Sequence, residues 1–114
     1  MDYSGEDLDE VAQMLGIARE EVIRRHTGSE YSVAFTGFAP GFAYLVGLDP
    51  RLELPRRVTP RPRVPAGSLA IAGGFTAVYP FDSPGGWHLL GRVAAPMFGP
   101  AGSRLQLGDR VRFT

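Results

Sequence analysis

Proline and glycine punctuate the chain from Gly37 to Gly91 so densely that much of the backbone is set before any side chain is considered. The block opens with Gly37-Phe38-Ala39-Pro40-Gly41-Phe42-Ala43-Tyr44-Leu45 and runs on through Pro55-Arg56-Arg57-Val58-Thr59-Pro60-Arg61-Pro62-Arg63-Val64-Pro65-Ala66-Gly67-Ser68. It closes on Thr76-Ala77-Val78-Tyr79-Pro80 and Ser83-Pro84-Gly85-Gly86-Trp87. Proline locks φ and removes a donor, while glycine reaches turn conformations that other residues resist. Short strands between such turns suit a barrel or sandwich better than a parallel sheet. The arginines and aromatics left between the turns are groups that grip ligands, so the block reads as a shaped site.

The periodicities agree. Tyr31, Val33 and Phe35 alternate with Ser32, Ala34 and Thr36, which predicts a half-buried strand. Further short strands are expected over 68–72, 76–79, 87–91 and 110–113, with Gly108-Asp109 as a turn and Pro84-Gly85 as the corners of a type II turn. The segment 49–65 carries too many prolines for a central strand and is expected at a surface or sheet edge. Before the strands, Leu8, Val11, Ala12 and Leu15 share one helical face, with Gly16 placed for a left-handed cap. A second helix over 19–26 has Glu20 and Glu21 in its first turn and Arg24 and Arg25 in its last, as the macrodipole favours. Such a pair could be a helix-turn-helix, but its first helix is acidic and would repel phosphates. A helical lead-in over 1–30, packed on a β-barrel over 31–114 within a single domain, is the expectation.

Bulk properties exclude several functions. The 114 residues suit one hydrophobic core, and 44% hydrophobic with 21% charged residues is ordinary for a folded chain. Net charge is zero, so no overall field draws nucleic acid or an anionic membrane. There is no lysine, which removes a Schiff base or a P-loop lysine, and no cysteine, which removes disulfides and thiolate chemistry. The acidic start has no apolar signal region, and the apolar window 33–48 is broken by Gly37, Pro40, Gly41 and Gly47. A soluble, cytoplasmic chain is expected.

No motif carries a complete chemistry. The glycines of the first loop lack dinucleotide-binding spacing. Phe38, Phe42 and Tyr44 either line a pocket or fill the core. Arginines on a proline-stiffened segment can be aimed at carboxylate, carbamate or phosphate oxygens; chain alternation points Arg56 and Arg61 toward the site and Arg57 and Arg63 outward. His26 and His88 have no partner at metal-ligand spacing, and no metal is expected. A satisfied strand histidine is the favoured reading of His88 over an acid–base role. Ser68 and Ser83 sit in no nucleophile elbow. Nothing brings Asp82 and Glu53 together. The residues describe an oxyanion-friendly pocket or docking face whose chemistry another chain completes.

The ordered motifs, with the lead-in Tyr3-Ser4-Gly5-Glu6-Asp7-Leu8 and Glu21-Val22-Ile23 followed by His26-Thr27, resemble the allophanate hydrolase subunit 1 family. That family includes the B subunit of 5-oxoprolinase, the sporulation kinase inhibitor KipI and the matching half of the urea carboxylase carboxyltransferase domain. The resemblance implies a cyclophilin-like β-barrel after about Tyr31, without implying prolyl isomerase activity. It implies a further N-terminal domain in the usual subunit, so a C-terminal fragment or naturally short homologue is expected. It places substrate-binding positions at Phe38, Pro40, Gly41, Phe42, Arg56, Arg61, Ser68, Thr76, Tyr79, Ser83, Gly85, Gly86 and Trp87, and assigns no catalytic residue. Two departures stand out. Phe75-Thr76-Ala77 replaces the frequent Gln-Thr-Gly, and the stretch between Phe98 and Gly108 is shorter than usual.

Three functions follow from the resemblance. One is a subunit of an ATP-dependent 5-oxoprolinase or allophanate hydrolase-type amidohydrolase, inactive alone. A homologous partner completes it, of the allophanate hydrolase subunit 2 type or the type of the 5-oxoprolinase C subunit. In that case ATP is used by the complex and no cofactor is held by this chain. The others are a KipI-like inhibitor docking on a sensor histidine kinase, and the carboxyltransferase half of a biotin-dependent urea carboxylase-like enzyme. Neither nucleic acid nor membrane is an expected partner.

Overall fold

The computed structural model describes residues 2–37, 41–94, 98–99 and 102–113. Two helices come first, α1 (Leu8–Leu15) and α2 (Arg19–Thr27). Gly16 ends α1 in the left-handed region (φ 68°), its amide bonding back to Ala12 and Gln13. The strands follow: β1 (Tyr31–Thr36), β2 (Ala43–Val46), β3 (Arg61–Val64), β4 (Ser68–Ala72), β5 (Phe75–Val78), β6 (Ser83–Gly85), β7 (His88–Arg92), β8 (Phe98–Gly99), β9 (Gly102–Ser103) and β10 (Arg110–Val111). A 3₁₀ turn (Pro50–Leu52) is capped by the Asp49 carboxylate, which accepts from the Arg51 amide. The fold is mainly β with a short N-terminal helical pair. No helix among the described residues is long and apolar enough to cross a membrane.

Six strands form one antiparallel sheet in the order β10-β1-β2-β5-β4-β7; β3 with β6 and β8 with β9 form two-stranded ribbons. The inner strand β4, between β5 and β7, is buried at every position, because the sheet is covered on both faces. Leu69 and Ile71 point with Val78, Leu45 and Leu90 into a core closed by Leu8, Val11 and Val22 of the helices. Their neighbours Ala70 and Ala72 join Phe42, Ala77, Tyr79, Trp87 and Leu89 on the opposite face, with Val64 of β3. Burying large aliphatics on one face and alanines plus aromatics on the other lets one strand serve two cores.

The lead-in is laid directly along β7. Asp2 pairs with Arg92, and the Gly5 and Asp7 amides donate to the Leu90 and Leu89 carbonyls. The approach requires glycine: a Cβ on Gly91 would stand 2.1 Å from the Asp2 carbonyl oxygen. A buried polar chain then ties lead-in, helix and sheet together. Tyr3 Oη lies 2.5 Å from His26 Nδ1, and His26 Nε2 lies 3.0 Å from Thr76 Oγ1, which donates to the Ala70 carbonyl. Since Thr76 spends its proton on Ala70, it accepts from His26 Nε2–H, and Nδ1 accepts from the tyrosine. Burial pushes the His26 imidazole down to about 4.

Three local expectations need correction. The strand β2 is not marked by the sequence pattern, yet it pairs with β1 and β5. Pro84-Gly85 is strand rather than type II turn, paired to β3 through Arg61↔Gly85 and Val64↔Ser83. Phe35 does not share a face with Tyr31 and Val33. The register shifts between Val33 and Phe35, and this bulge turns Phe35 outward, leaving it 45% exposed. The proline-rich segment does lie at an edge, as β3, which among the described residues pairs with β6 alone.

Candidate functional site

The aromatics of the second core extend to the surface as a cleft. Phe42 packs edge-on against Tyr79 and Trp87, with centroids 5.4 and 5.7 Å apart, and Tyr44 stands 5.8 Å from Trp87. These rings, with Arg56, Gly85 and Gly86, enclose about 100 Å³. An adjoining cavity of about 430 Å³ shares Tyr44, Arg56 and Trp87 and adds Phe35 and Phe75. There Phe35 stacks on Tyr44 at 4.4 Å, and Phe75 meets Tyr44 edge-on at 5.7 Å. The bulge in β1 is therefore what supplies one aromatic wall.

Gly85 is fixed by Tyr79. A Cβ there would lie 2.1 Å from the tyrosine oxygen. Burial raises the Tyr79 pKa; the Arg56 charge and the Trp87 backbone amide pull the other way. Arg56 is exposed and has no hydrogen bond or ion pair among the described residues. A guanidinium beside aromatic faces, with its donors unspent, can take a planar anion while a ring packs on the walls.

What holds the arginine segment in place is Asp7, whose side chain is only 3% exposed. Its Oδ1 accepts from Arg57 Nη1 at 2.7 Å and Arg61 Nη2 at 2.6 Å; its Oδ2 accepts from Arg61 Nη1 at 2.7 Å and the Leu89 amide at 2.7 Å. Burial alone would raise the Asp7 pKa. The hydrogen bonds from Arg61 and Leu89, with the charges of Arg61 and Arg57, outweigh it and hold the carboxyl below its ordinary value.

The site residues inferred from sequence divide accordingly. Phe42, Arg56, Tyr79, Gly85, Gly86 and Trp87 come together around the cleft. Gly41, at φ 81°, lies in the connection leading to β2. Phe38 and Pro40 lie outside the described residues. Arg61 is spent on Asp7. Ser68 is buried and donates to the Pro65 carbonyl at 2.7 Å, closing a turn. Thr76 belongs to the His26 chain on the other sheet face, and Ser83 Oγ donates to the Phe81 carbonyl at 3.3 Å. Arg57, expected to point outward, is instead drawn in by the buried carboxylate; Arg63 does point outward, paired to exposed Asp82. Sequence reasoning missed Phe35 and Phe75 as cleft walls and Asp7 as the clamp. The signal for Asp7 was present only as an acid just before a helix, which is the usual signature of a cap. Among the described residues no three His, Asp or Glu side chains gather to hold a metal ion.

A two-faced antiparallel sheet with a helical lead-in clamped onto an arginine-proline segment, opening into an aromatic cleft, defines a mainly β module with one shaped aromatic surface. The chain belongs to the family of carboxyltransferase domains, subdomains C and D, whose model matches residues 1–107. It is 47% identical over 117 residues to the 5-oxoprolinase B subunit of Bacillus subtilis (strain 168), covering 97% of this chain and 49% of that protein. It is 46% identical to the protein of the same name from Escherichia coli O157:H7, covering 96% and 51%. A putative urea carboxylase of Emericella nidulans is 29% identical over 78% of this chain and 7% of its own length. Among solved structures, TTHA0988 superposes with a TM-score of 0.95 at 46% identity, covering 99% of this chain and 24% of that one. The protein PH0987 from Pyrococcus horikoshii gives 0.91 at 45% identity, covering 96% and 52%. The chain thus spans about half the length of the 5-oxoprolinase subunits it matches.

Proposed function

We propose that this chain is part of an ATP-dependent 5-oxoprolinase-type amidohydrolase and forms one wall of a substrate pocket that a homologous second subunit completes. The observation that carries the reading is Arg56. It stands exposed over the aromatic cleft with no partner among the described residues, while Arg57 and Arg61 are spent on Asp7. A carboxylate-bearing ring fits that combination of guanidinium and aromatic walls, and relatives at 46–47% identity are named as the B subunit of 5-oxoprolinase. The cleft offers neither a nucleophile–base pair nor a phosphate-binding loop among the described residues. Hydrolysis therefore draws its nucleotide and reacting groups from the rest of the complex, with ATP used there.

The family's carboxyltransferase description and the urea carboxylase relative favour a second reading, in which the same cleft takes an amide to be carboxylated. Mixing the chain with its gene-neighbour partner proteins and measuring ATP-dependent cleavage of 5-oxoproline decides between them. Turnover that falls sharply in Arg56→Ala supports the proposal. No turnover with the complete set, together with tight binding to a histidine kinase dimerisation domain or biotin-dependent carboxylation of an amide, overturns it.

A further inference from the structure

The cleft has two compartments of unequal size and different wall chemistry. The inner one holds about 100 Å³ and the outer about 430 Å³, which lies within the range of small-molecule pockets. Tyr44, Arg56 and Trp87 line both, so the guanidinium stands at the seam. Among the described residues Arg56 is the only charged side chain lining either compartment. The outer walls are aromatic, with Phe35 and Phe75 added to Tyr44 and Trp87. Gly73, in the turn between β4 and β5, contributes no side chain to close that space.

Phe35 gives the outer compartment a built wall. It is 45% exposed, and an aromatic facing water gains when an apolar group covers it. Cross-strand pairing with Tyr44 holds it in place, the two rings stacked at 4.4 Å. Phe75 meets both edge-on, at 5.6 Å from Phe35 and 5.7 Å from Tyr44. Rings that hold one another lose little side-chain freedom when a ligand covers them. Stacking across the strands would by itself stabilise the sheet, but that role requires neither an open cavity beside the rings nor an unpaired guanidinium at its edge. A small acid would use Arg56 and the inner compartment and leave the larger one filled with water against aromatic faces. We propose that the acid this chain handles is a monoanion bearing an aryl substituent: Arg56 takes the anionic group, and the wall of Phe35, Tyr44 and Phe75 takes the ring. The inference rests on the reading above only in taking Arg56 as the anion-binding group, and it enlarges the substrate class beyond an unsubstituted ring acid.

The chain has one tryptophan, so in the isotope-labelled protein a single indole N–H signal reports on the wall common to both compartments. The probes are 3-phenylpropionate, propionate and 3-phenyl-1-propanol, titrated while that signal is followed by NMR. Phenylpropionate is expected to shift it saturably and to bind at least about tenfold more tightly than propionate, from burial of the phenyl ring. The alcohol, with no charge for Arg56, is expected to bind about tenfold more weakly than phenylpropionate or worse. Phe35→Ser should cut the preference for phenylpropionate over propionate at least about threefold, and Arg56→Gln should remove the preference for the acid over the alcohol. An unmoved Trp87 signal, equal binding of propionate, equal binding of the alcohol, or an unchanged preference in folded Phe35→Ser overturns the site. The three probes are compared on the parent chain, so they decide even if a variant does not fold. Preferential binding of phenylpropionate without 5-oxoproline cleavage by the complete set leaves this site standing and sinks the enzyme reading. Cleavage of 5-oxoproline with a chain that binds phenylpropionate no better than propionate does the reverse.

Discussion

Replacing Asp7 by asparagine should cost this protein about 3 kcal/mol of stability, far more than an isosteric change normally does. Each carboxylate oxygen receives two N–H donors, Oδ1 from Arg57 and Arg61, Oδ2 from Arg61 and Leu89. An asparagine keeps one oxygen and puts an NH₂ where the other was. Whichever way the amide turns, that NH₂ faces two donors and two bonds are lost. The two guanidiniums, 22% and 19% exposed, also lose their buried counter-charge and keep only the longer 3.4 Å pairs of Arg57 with Glu10 and Arg61 with Glu6. Breaking a buried pair costs about 3–5 kcal/mol, and the residual exposure of both arginines puts this case at the lower end. Urea denaturation at pH 7 measures the loss. The acid limb gives a second reading. The folded carboxyl lies below its unfolded value of 3.8, so its stabilisation is complete above 3.8 and is lost as pH falls through the folded pKa. The parent should show that loss and Asp7→Asn should not. A variant within 1 kcal/mol of the parent at pH 7, judged against the roughly 1 kcal/mol typical of point mutations, would refute the clamp.

Other outcomes are as specific. His26 is held down to about 4 from 6.5, so between those values the unfolded chain binds the extra proton; stability should fall by about 3 kcal/mol from pH 6.5 to pH 4, read from urea midpoints, and the fall should vanish in His26→Gln. Gly85→Ala drives a methyl into the Tyr79 hydroxyl and should cost about 1–3 kcal/mol by thermal unfolding, with partial recovery when combined with Tyr79→Phe. Arg56→Gln should leave the urea midpoint unchanged, within about 0.5 kcal/mol, because it breaks no hydrogen bond or ion pair among the described residues. In the reconstituted complex the same change should raise the KM for an anionic substrate.

How far the chain could be read from its letters depended on the range of each interaction. The helix α1 with its Gly16 stop, the charge order of α2, and the strands around 31–36, 68–72 and 88–92 were all legible. Caps, macrodipole pairs and alternation act within a few residues. The strand Ala43–Val46 was hidden by flanking glycines and proline, and the outward turn of Phe35 by a bulge that only pairing with β2 reveals. Six of the residues that the family resemblance marks as substrate-binding stand together around the cleft, where rigid turns and aromatics shape the surface. Ser68 and Thr76 look like ligand contacts in one dimension and are hydrogen-bonded into a turn and a core in three.

The sequence by itself determined a punctuated β fold with a helical lead-in, and it concentrated the arginines on one stiff segment. It could not assign those arginines. Alternation along an extended chain put Arg56 and Arg61 on one side and Arg57 and Arg63 on the other, since it takes account only of neighbours. Tertiary structure decided otherwise because a buried carboxylate brought from about fifty residues upstream outweighs local phase. Asp7 must be paired wherever it is buried, so it claims Arg57 and Arg61 and leaves Arg56 alone over the cleft. Which arginine is available to a ligand is thus set by what the lead-in has already taken.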